Sequence, residues 1–411
     1  MTVETSTTSK SLVRLGPVLL AYAAFIALGM PDGLMGIAWP SVRADFGVPI
    51  DALGMLLIAS VTGYMTSSFL SGALVARLGV GKLLAISCAL TGMALIGYTL
   101  VPEWWMFVML GVVAGLGAGA IDAGLNTYAA AHFGEGLVQW LHASYGIGIT
   151  LGPIIITTAL TTFDSWQLGY RIVAGFQLLM ALAFVLTLSW WRDEGSETGT
   201  DAPREKRLTE YKTPLADTVR RPRVWLSVSL FFLYVGAEVS LGIWAYSLLT
   251  EARGVVPGTA GFITGSYWAT FTLGRILAGL YAKRLGVDLL VQASVGFALF
   301  GSILLWLNPF PLANLVAVTL VGFAIAPIFP ALISGTSRRV GAGYAANTIG
   351  MQMAVTGLGG SLVPSLIGVL AGRYSLEVVP ICLVLLFAAL FILYRLAMTG
   401  QGNAEAAYEV H

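Results

Sequence analysis

The sequence predicts an all-α membrane protein in which twelve transmembrane helices form two related halves. Of its 411 residues, 57% are hydrophobic and only 10% are charged, whereas soluble domains carry about 25% charged residues. The apolar residues fall into runs of about 20, the length that a helix needs to cross a bilayer. Two pairs of motifs also recur at a nearly constant distance along the chain, as expected if one half repeats the other.

Twelve apolar runs are separated by charged residues, glycine and proline, which mark loops and helix ends. The first run closes with GMPDGLMGIAWP, residues 29–40, and there it carries one carboxylate, Asp32. The predicted spans are 15–39, 51–75, 82–101, 104–131, 138–160, 169–191, 223–249, 259–282, 287–306, 310–334, 342–371 and 377–398.

The predicted halves are residues 1–192 and 223–411, each with six spans. The stretch between them, 193–222, is charged, contains proline and glycine, and lacks a long apolar periodicity. This composition is typical of a loop. We therefore expect a cytoplasmic linker with room for one short amphipathic helix.

The distribution of lysine and arginine predicts the side that each loop faces. Seventeen of the 22 fall on the side of the N-terminus, four (Arg43, Arg171, Arg253 and Arg373) fall on the other side, and Arg275 falls inside a span. Cytoplasmic loops carry the excess of positive charge. Both termini are thus predicted in the cytoplasm, and the chain is expected to cross the cell's inner (plasma) membrane many times.

Two motifs of the first half recur in the second. SGALVARLGVGKLL, residues 71–84, matches AGLYAKRLGVDLLV, residues 278–291, which lies 207 positions later. GIGITLGP, residues 146–153, matches GLGGSLVP, residues 357–364, which lies 211 positions later. Many secondary transporters are built from such repeats, with the substrate site near the middle of the membrane between them.

The first repeat also carries a family resemblance. GALVARLG (72–79) and GLYAKRLG (279–286) resemble the loop signature of the major facilitator superfamily, G-x3-D-R-x-G-R-R, although both copies lack the aspartate. With twelve spans and a basic linker, the resemblance covers the whole chain. It implies two six-helix halves that rock about a cavity lined by helices 1, 4, 7 and 10, with Arg77 and Arg284 in gating loops.

Three acids lie well inside predicted spans, away from the span ends: Asp32, Asp122 and Glu238. An ionised side chain there costs at least about 2.5 kcal/mol on insertion scales, so it usually faces a cavity and serves a function. Asp32-x3-Gly36 recurs as Glu238-x3-Gly242, 206 positions later. We expect all three acids to carry protons. The alternative for Asp32 and Glu238 is that each caps a broken helix or bonds a neighbouring backbone. The alternative for Asp122 is a hydrogen bond that only joins two helices.

Polar residues near these acids are the next candidates. Gly115, Gly119, Asp122 and Asn126 are spaced by four, three and four, which predicts one helical face with a glycine packing groove. On helix 5, His142 lies three residues before Tyr145, so the two share a face. Histidine exchanges protons near neutral pH, although a lone histidine can also be a structural donor.

These stretches resemble the fucose permease branch of the superfamily. That branch carries a cavity aspartate in helix 1, which Asp32 matches, and an acid followed four residues later by asparagine in helix 4, which Asp122 and Asn126 match. His142 and Tyr145 look like its helix 5. There the acids serve proton coupling and sugar recognition, which implies a symporter of a monosaccharide. Asp122 replaces the branch's glutamate, and Glu238 has no counterpart in it.

Four further residues are candidate solute contacts, and one is a candidate gate residue. Trp244 and Tyr267 could stack on a sugar, and Asn347 and Gln352 are polar groups near the start of helix 11. Arg275 either snorkels to the membrane interface or pairs with an acid or carbonyl at an inner gate.

Other functional classes find no support in the sequence. It carries no nucleotide-binding loop and no cysteine or histidine spacing typical of a metal site, so we expect no enzyme, cofactor or metal. A net charge of +1 gives no reason to expect nucleic acid. We expect a monomer whose partners are a small polyhydroxylated solute, protons and the lipid bilayer. The alternatives are an exporter of amphipathic drugs or lipids and a non-transporting membrane sensor.

The charge distribution yields a first testable prediction. Single cysteines at Ser196 and at Gly400 should react with membrane-impermeant thiol reagents only from the cytoplasmic side, because both positions follow an even number of spans. Labelling of either cysteine in intact cells from outside would contradict the twelve-span topology.

Overall fold

The computed structural model describes residues 15–132, 135–191 and 213–399, and every regular element in these ranges is helical. Most of the predicted linker and both termini lie outside the described residues. The spanning helices are α1 Leu15–Phe46, α2 Leu53–Leu78, α3 Val80–Tyr98, α4 Trp104–His132, α5 Glu135–Phe163, α6 Trp166–Leu186, α7 Pro222–Ser247, α8 Pro257–Leu285, α9 Val287–Leu307, α10 Ala313–Ser334, α11 Ala342–Arg373 and α12 Val378–Thr399.

All twelve predicted spans correspond to helices in the described ranges. Eleven of them are long and apolar enough to cross a membrane. The twelfth, α8, has 29 residues but is less apolar, since it is interspersed with glycine and threonine and carries Arg275. Helix α10 is interrupted by a turn at Ala326 and Pro327, where proline lacks the N–H that a continuous helix would use. The all-α membrane fold is confirmed.

The helices pack in the same pattern in each half. In the first half α1 packs on α5, α2 on α4, and α3 on α6; in the second α7 packs on α11, α8 on α10, and α9 on α12. We call the end at which α1 begins and the linker attaches the linker end, and the opposite end the far end. The four basic residues predicted on the outer side, such as Arg43 and Arg373, lie at the far end.

The internal repeat extends to backbone conformation. Gly47 and Gly254, which follow the first spanning helix of each half, share a φ of 63°. Gly79 and Gly286, in the two copies of the loop motif, have φ values of 76° and 73°. Each pair is 207 residues apart. Residues with a side chain rarely adopt these angles, so the repeated glycines hold equivalent turns.

Glycine also lets the helices touch backbone to backbone. A Cβ atom on Gly36 of α1 would overlap the Gly242 carbonyl oxygen of α7, so the two repeat-related glycines contact each other. On α4, a Cβ on Gly115 would overlap the Ser60 carbonyl oxygen. The predicted glycine groove of α4 is therefore where α2 packs.

Contacts between the halves run from the middle of the membrane to the far end. On the α5–α8 seam, Thr272 Oγ1 donates to the Gly146 carbonyl at 2.9 Å, and Gly261 lies so close to Thr157 that a Cβ there would overlap the Thr157 hydroxyl. At the far end Arg43 and Glu251 form an ion pair of 2.5 Å between α1 and the segment after α7.

The glycine contact predicts how the far end responds to mutation. Gly36→Val would force α1 away from α7, because its side chain would overlap a main-chain oxygen. We expect a lower melting temperature and faster labelling of a cysteine placed at Thr161 on the far-end seam, in a background without Cys88 and Cys382.

The matched control is Gly175→Val on α6, where an added Cβ meets no atom within 4 Å. It should leave both the melting temperature and the labelling rate close to those of the parent. Equal effects of the two substitutions would contradict a close packing role for Gly36.

Candidate functional site

Three carboxylates lie well inside the spanning helices, away from the helix ends: Asp32 in α1, Asp122 in α4 and Glu238 in α7. α1 continues through both Pro31 and Pro40, so Asp32 does not cap a broken helix. Its side chain is accessible although it lies midway along the helix, and its carboxylate interacts electrostatically with that of Asp122. Asp32 and Asp122 therefore lie near each other, and we call the accessible space beside Asp32 the central cavity.

Asp32 is held by a tyrosine of the neighbouring helix. The Tyr145 hydroxyl of α5 donates to Asp32 Oδ2 at 2.7 Å. The glycines before and after the acid make this reach possible: a Cβ on Gly29 would overlap the Tyr145 carbonyl, and one on Gly33 would lie 2.5 Å from the Ile149 carbonyl. The glycine-rich sequence around Asp32 thus presses α1 onto α5 and fixes the carboxylate.

Asp122 is held in the same way by a residue that the sequence analysis did not identify. The Tyr64 hydroxyl of α2 donates to Asp122 Oδ2, and Asn126 Nδ2 donates to Asp122 Oδ1 at 2.8 Å. Tyr64 comes this close because Gly119 of α4 faces its main-chain carbonyl. The sequence showed only that Tyr64, a ring with a hydroxyl group, lies within the second apolar run.

Glu238 has a different environment, in the second half. It is half-buried, and its main-chain carbonyl accepts a hydrogen bond of 2.7 Å from the Tyr267 hydroxyl. Tyr234, one turn earlier, lies beside its carboxylate and donates to the Ile325 carbonyl at 3.1 Å. The main positive charge that acts on Glu238 comes from Arg275 of α8.

His142 and Arg275 complete the set of titratable or charged groups around the cavity. His142 is accessible, meets the ring of Phe25 edge-on at 5.7 Å, and interacts electrostatically with Asp122 and Arg275. The Arg275 guanidinium lies 4.3 Å above the Phe271 ring. Its Nε atom is buried, and its charge acts on His142 of the first half and on Glu238 of the second, which favours a position between the halves over the membrane interface. A gating role remains a prediction.

Trp244, Tyr267 and Gln352, three of the predicted substrate contacts, do not reach the cavity. Trp244 is completely buried and donates from Nε1 to the Pro364 carbonyl at 2.9 Å, which joins α7 to α11. Gln352 is also buried and donates from Nε2 to Ser227 Oγ at 2.9 Å. Tyr267 is buried on the Glu238 carbonyl. The polar atoms of these side chains form hydrogen bonds between helices. We therefore correct the predicted role of these residues from substrate contact to helix packing.

The remaining predicted residues lie at the linker end. Asn347 Nδ2 donates to the Thr213 carbonyl at 2.9 Å and to Thr218 Oγ1 at 3.0 Å, so it ties α11 to the end of the linker and is not a solute contact in this structure. Arg77 and Arg284 are exposed in the last turns of α2 and α8. Their gating role remains a prediction.

The cavity brings together groups that can exchange protons and bind hydroxyls. Carboxylates accept hydrogen bonds from hydroxyl groups when ionised and donate when protonated. The first half contributes Asp32, Asp122 and His142, and the second contributes the oppositely charged Glu238 and Arg275. Within the described residues, no group of three or more histidine, cysteine or acidic side chains is arranged to hold a metal ion.

Comparison with known proteins identifies related sequences. The sequence profile of the Major Facilitator Superfamily matches residues 21–364. The chain is 25% identical over 394 residues to "Sodium-dependent glucose transporter 1" of Homo sapiens, which covers 86% of this chain and 73% of that protein. It is 20% identical over 359 residues to "Glucose/mannose transporter GlcP" of Bacillus subtilis (strain 168), which covers 86% of this chain and 87% of that protein.

Solved structures share the fold at lower sequence identity. A mutant of the nucleoside transporter NupG superposes with a TM-score of 0.76 at 14% identity, covering 94% of this chain and all of that one. A bacterial homologue of the human lysosomal transporter Spinster, solved in an inward-facing and unoccupied conformation, gives 0.72 at 13% identity, covering 96% and 98%. At these identities the likeness concerns the fold alone.

The tyrosine that holds Asp122 gives a prediction about stability. Tyr64→Phe removes one hydroxyl and leaves the acid without its donor from α2. We expect a loss of roughly 1–3 kcal/mol, the usual cost of leaving a buried polar group unpaired, seen as a lower melting temperature in detergent. Tyr374→Phe is the matched control, since that ring is 72% exposed. Equal melting temperatures for Tyr64→Phe and the parent would contradict the assigned bond.

Proposed function

The chain belongs to the major facilitator superfamily, and from this premise we propose that it is a proton-coupled symporter of a monosaccharide. The family and the relatives make it a transporter and not an enzyme. One observation carries the mechanistic part of the proposal. Asp32 lies midway along a spanning helix, is accessible, and is oriented by Tyr145.

A protonatable group that faces a cavity can couple two fluxes. When the cavity opens to the side with more protons, Asp32 takes one up; when it opens to the cell, the proton leaves. Asp122 shares the cavity and can act with it, and Glu238 ranks third because Arg275 balances its charge. His142 lies between the two sets and can pass protons between them.

The proposed solute is a small polyhydroxylated molecule, with glucose as the first candidate. Two of the relatives bear the names of glucose transporters. In the cavity, Asp32, Asp122 and Asn126 offer acceptors and donors suited to hydroxyl groups, and Tyr145 adds a ring and a hydroxyl. A cavity for lipids would instead be lined by apolar groups, so the exporter alternative is less well supported. The fucose permease branch remains a prediction, since these relatives bear other names.

Access to the site is proposed to alternate between the two ends. The ion pair of Arg43 with Glu251 holds the halves together at the far end, and the contact of Gly36 with Gly242 joins them nearer the middle. Asp32 and His142 are accessible, and we propose that they are reached from the linker end. Opening the far end requires the ion pair to break while the linker ends approach. If both termini lie in the cytoplasm, as the charge distribution predicts, the state proposed for this structure is the inward-open one.

The decisive experiment is uptake into proteoliposomes with an imposed pH gradient. Wild-type protein should concentrate glucose when the outside is acidic. Asp32→Asn keeps the shape of the side chain but fixes it neutral, so it should abolish accumulation, while exchange of glucose between equal pools persists because it moves no net proton. The matched control is Asp217→Asn, an exposed acid outside the spanning helices, which should transport normally.

Three other outcomes of this experiment would change the proposal. Accumulation by Asp32→Asn on the proton gradient would exclude Asp32 as the carrier and make Asp122 the leading candidate. Accumulation driven by a sodium gradient alone would replace protons by sodium as the coupling ion. Transport of lipophilic cations without any sugar transport would replace the whole proposal by the exporter.

A further inference from the structure

Arg275 is a cation inside a spanning helix with no hydrogen-bond partner among the described residues. Its Nε atom is buried and unpaired, and its guanidinium lies against the face of Phe271, at 4.3 Å. Arginine remains charged under all physiological conditions and carries five N–H donors. Glu238 interacts electrostatically with this charge, but the buried Nε–H donor has no hydrogen-bond partner, and an unpaired donor within the membrane is costly. The guanidinium is therefore suited to bind oxygen acceptors of a ligand.

The position of Arg275 is central. Its charge acts on Tyr145 and His142 of the first half and on Glu238 and Tyr267 of the second. No ion pair of the described residues joins Arg275 to Glu238, although the two interact electrostatically. The guanidinium donor and the carboxylate acceptor thus lie near enough to interact electrostatically but form no ion pair.

The chemistry of these two groups fits a pair of adjacent hydroxyls. A guanidinium is a rigid fork whose parallel N–H groups bind two neighbouring oxygens, which a lysine ammonium cannot do. A hydroxyl that accepts from Arg275 can at the same time donate its own proton to a carboxylate such as Glu238. One vicinal diol would satisfy both side chains and keep their charges close to balanced.

We propose that Arg275 and Glu238 form the part of the substrate site contributed by the second half, and that Arg275 selects sugars by binding two adjacent hydroxyls. This inference rests on the proposed function, since it takes the solute to be a sugar. It assigns Arg275 a role in substrate recognition, beyond its sequence-based assignment to a gate.

A ligand–protein thermodynamic cycle tests the inference. Binding of D-glucose and of its monodeoxy analogues is measured by isothermal titration calorimetry on purified wild-type protein and on Arg275→Gln. In the wild type, removal of either of two adjacent hydroxyls should weaken binding about tenfold or more, the effect of leaving a charged donor unpaired. In Arg275→Gln those two penalties should shrink to less than about threefold, while penalties at the other positions stay unchanged.

The control is Arg395→Gln, an arginine of α12 that is exposed and bonded to Gln292; it should reproduce the wild-type pattern. Arg275→Lys keeps the charge but removes the fork, so it should relieve at least one of the two penalties. It also provides the measurement if Arg275→Gln does not fold.

Two results would overturn this inference, and a third would also overturn the proposed substrate class. Penalties that remain identical in Arg275→Gln, or in Arg275→Lys if only that variant folds, mean that Arg275 does not touch the hydroxyls. A full wild-type pattern in the double variant Glu238→Gln/Arg275→Gln means that the pair only balances charge. If no hexose binds the wild type at all, the proposed substrate class fails, and this inference fails with it.

Discussion

The close contact of α1 with its neighbours is the constraint on which the rest of the structure depends. Gly29 and Gly33 let α1 approach α5, and Gly36 lets it approach α7. In a bilayer, burial of apolar surface gives no driving force for helix association, so small residues and polar bonds must provide it. The same glycines place Asp32 within reach of Tyr145, so one stretch of sequence sets both the packing and the position of the acid.

The two halves distribute charge differently although they share one fold. Asp32 and Asp122 are bound to tyrosines of neighbouring helices, Tyr145 and Tyr64, and no arginine in the described residues of the spanning first-half helices compensates them at that depth. In the second half, Glu238 is opposed by Arg275. Acids held by neutral donors can change charge during a cycle, whereas an acid beside a permanent cation keeps a constant charge more easily. This asymmetry suits a division of labour between proton transfer and solute recognition.

The fold could be predicted almost completely from the sequence, and the site only in part. Helix spans follow from hydropathy and the repeats from motif spacing, because both are local or periodic properties. Asp32 and Asp122 were identifiable because charge is rare in a membrane. Tyr64 was not, since a tyrosine in an apolar run has no distinguishing pattern. Trp244 and Gln352 were misassigned because whether a polar side chain meets a cavity or another helix depends on helix rotation, which hydropathy does not determine.

The contact of Gly36 with Gly242 acts as a fulcrum. At 1.5 Å per residue, Gly36 lies about 32 Å from the start of α1 and about 15 Å from its end, so a given rotation about it displaces the linker end roughly twice as far as the far end. Asp32 lies about 6 Å from the same point along the helix, so it moves through a shorter arc than either end of α1. In the proposed cycle, Asp32, the proposed proton carrier, therefore stays nearly stationary while the openings on either side change width.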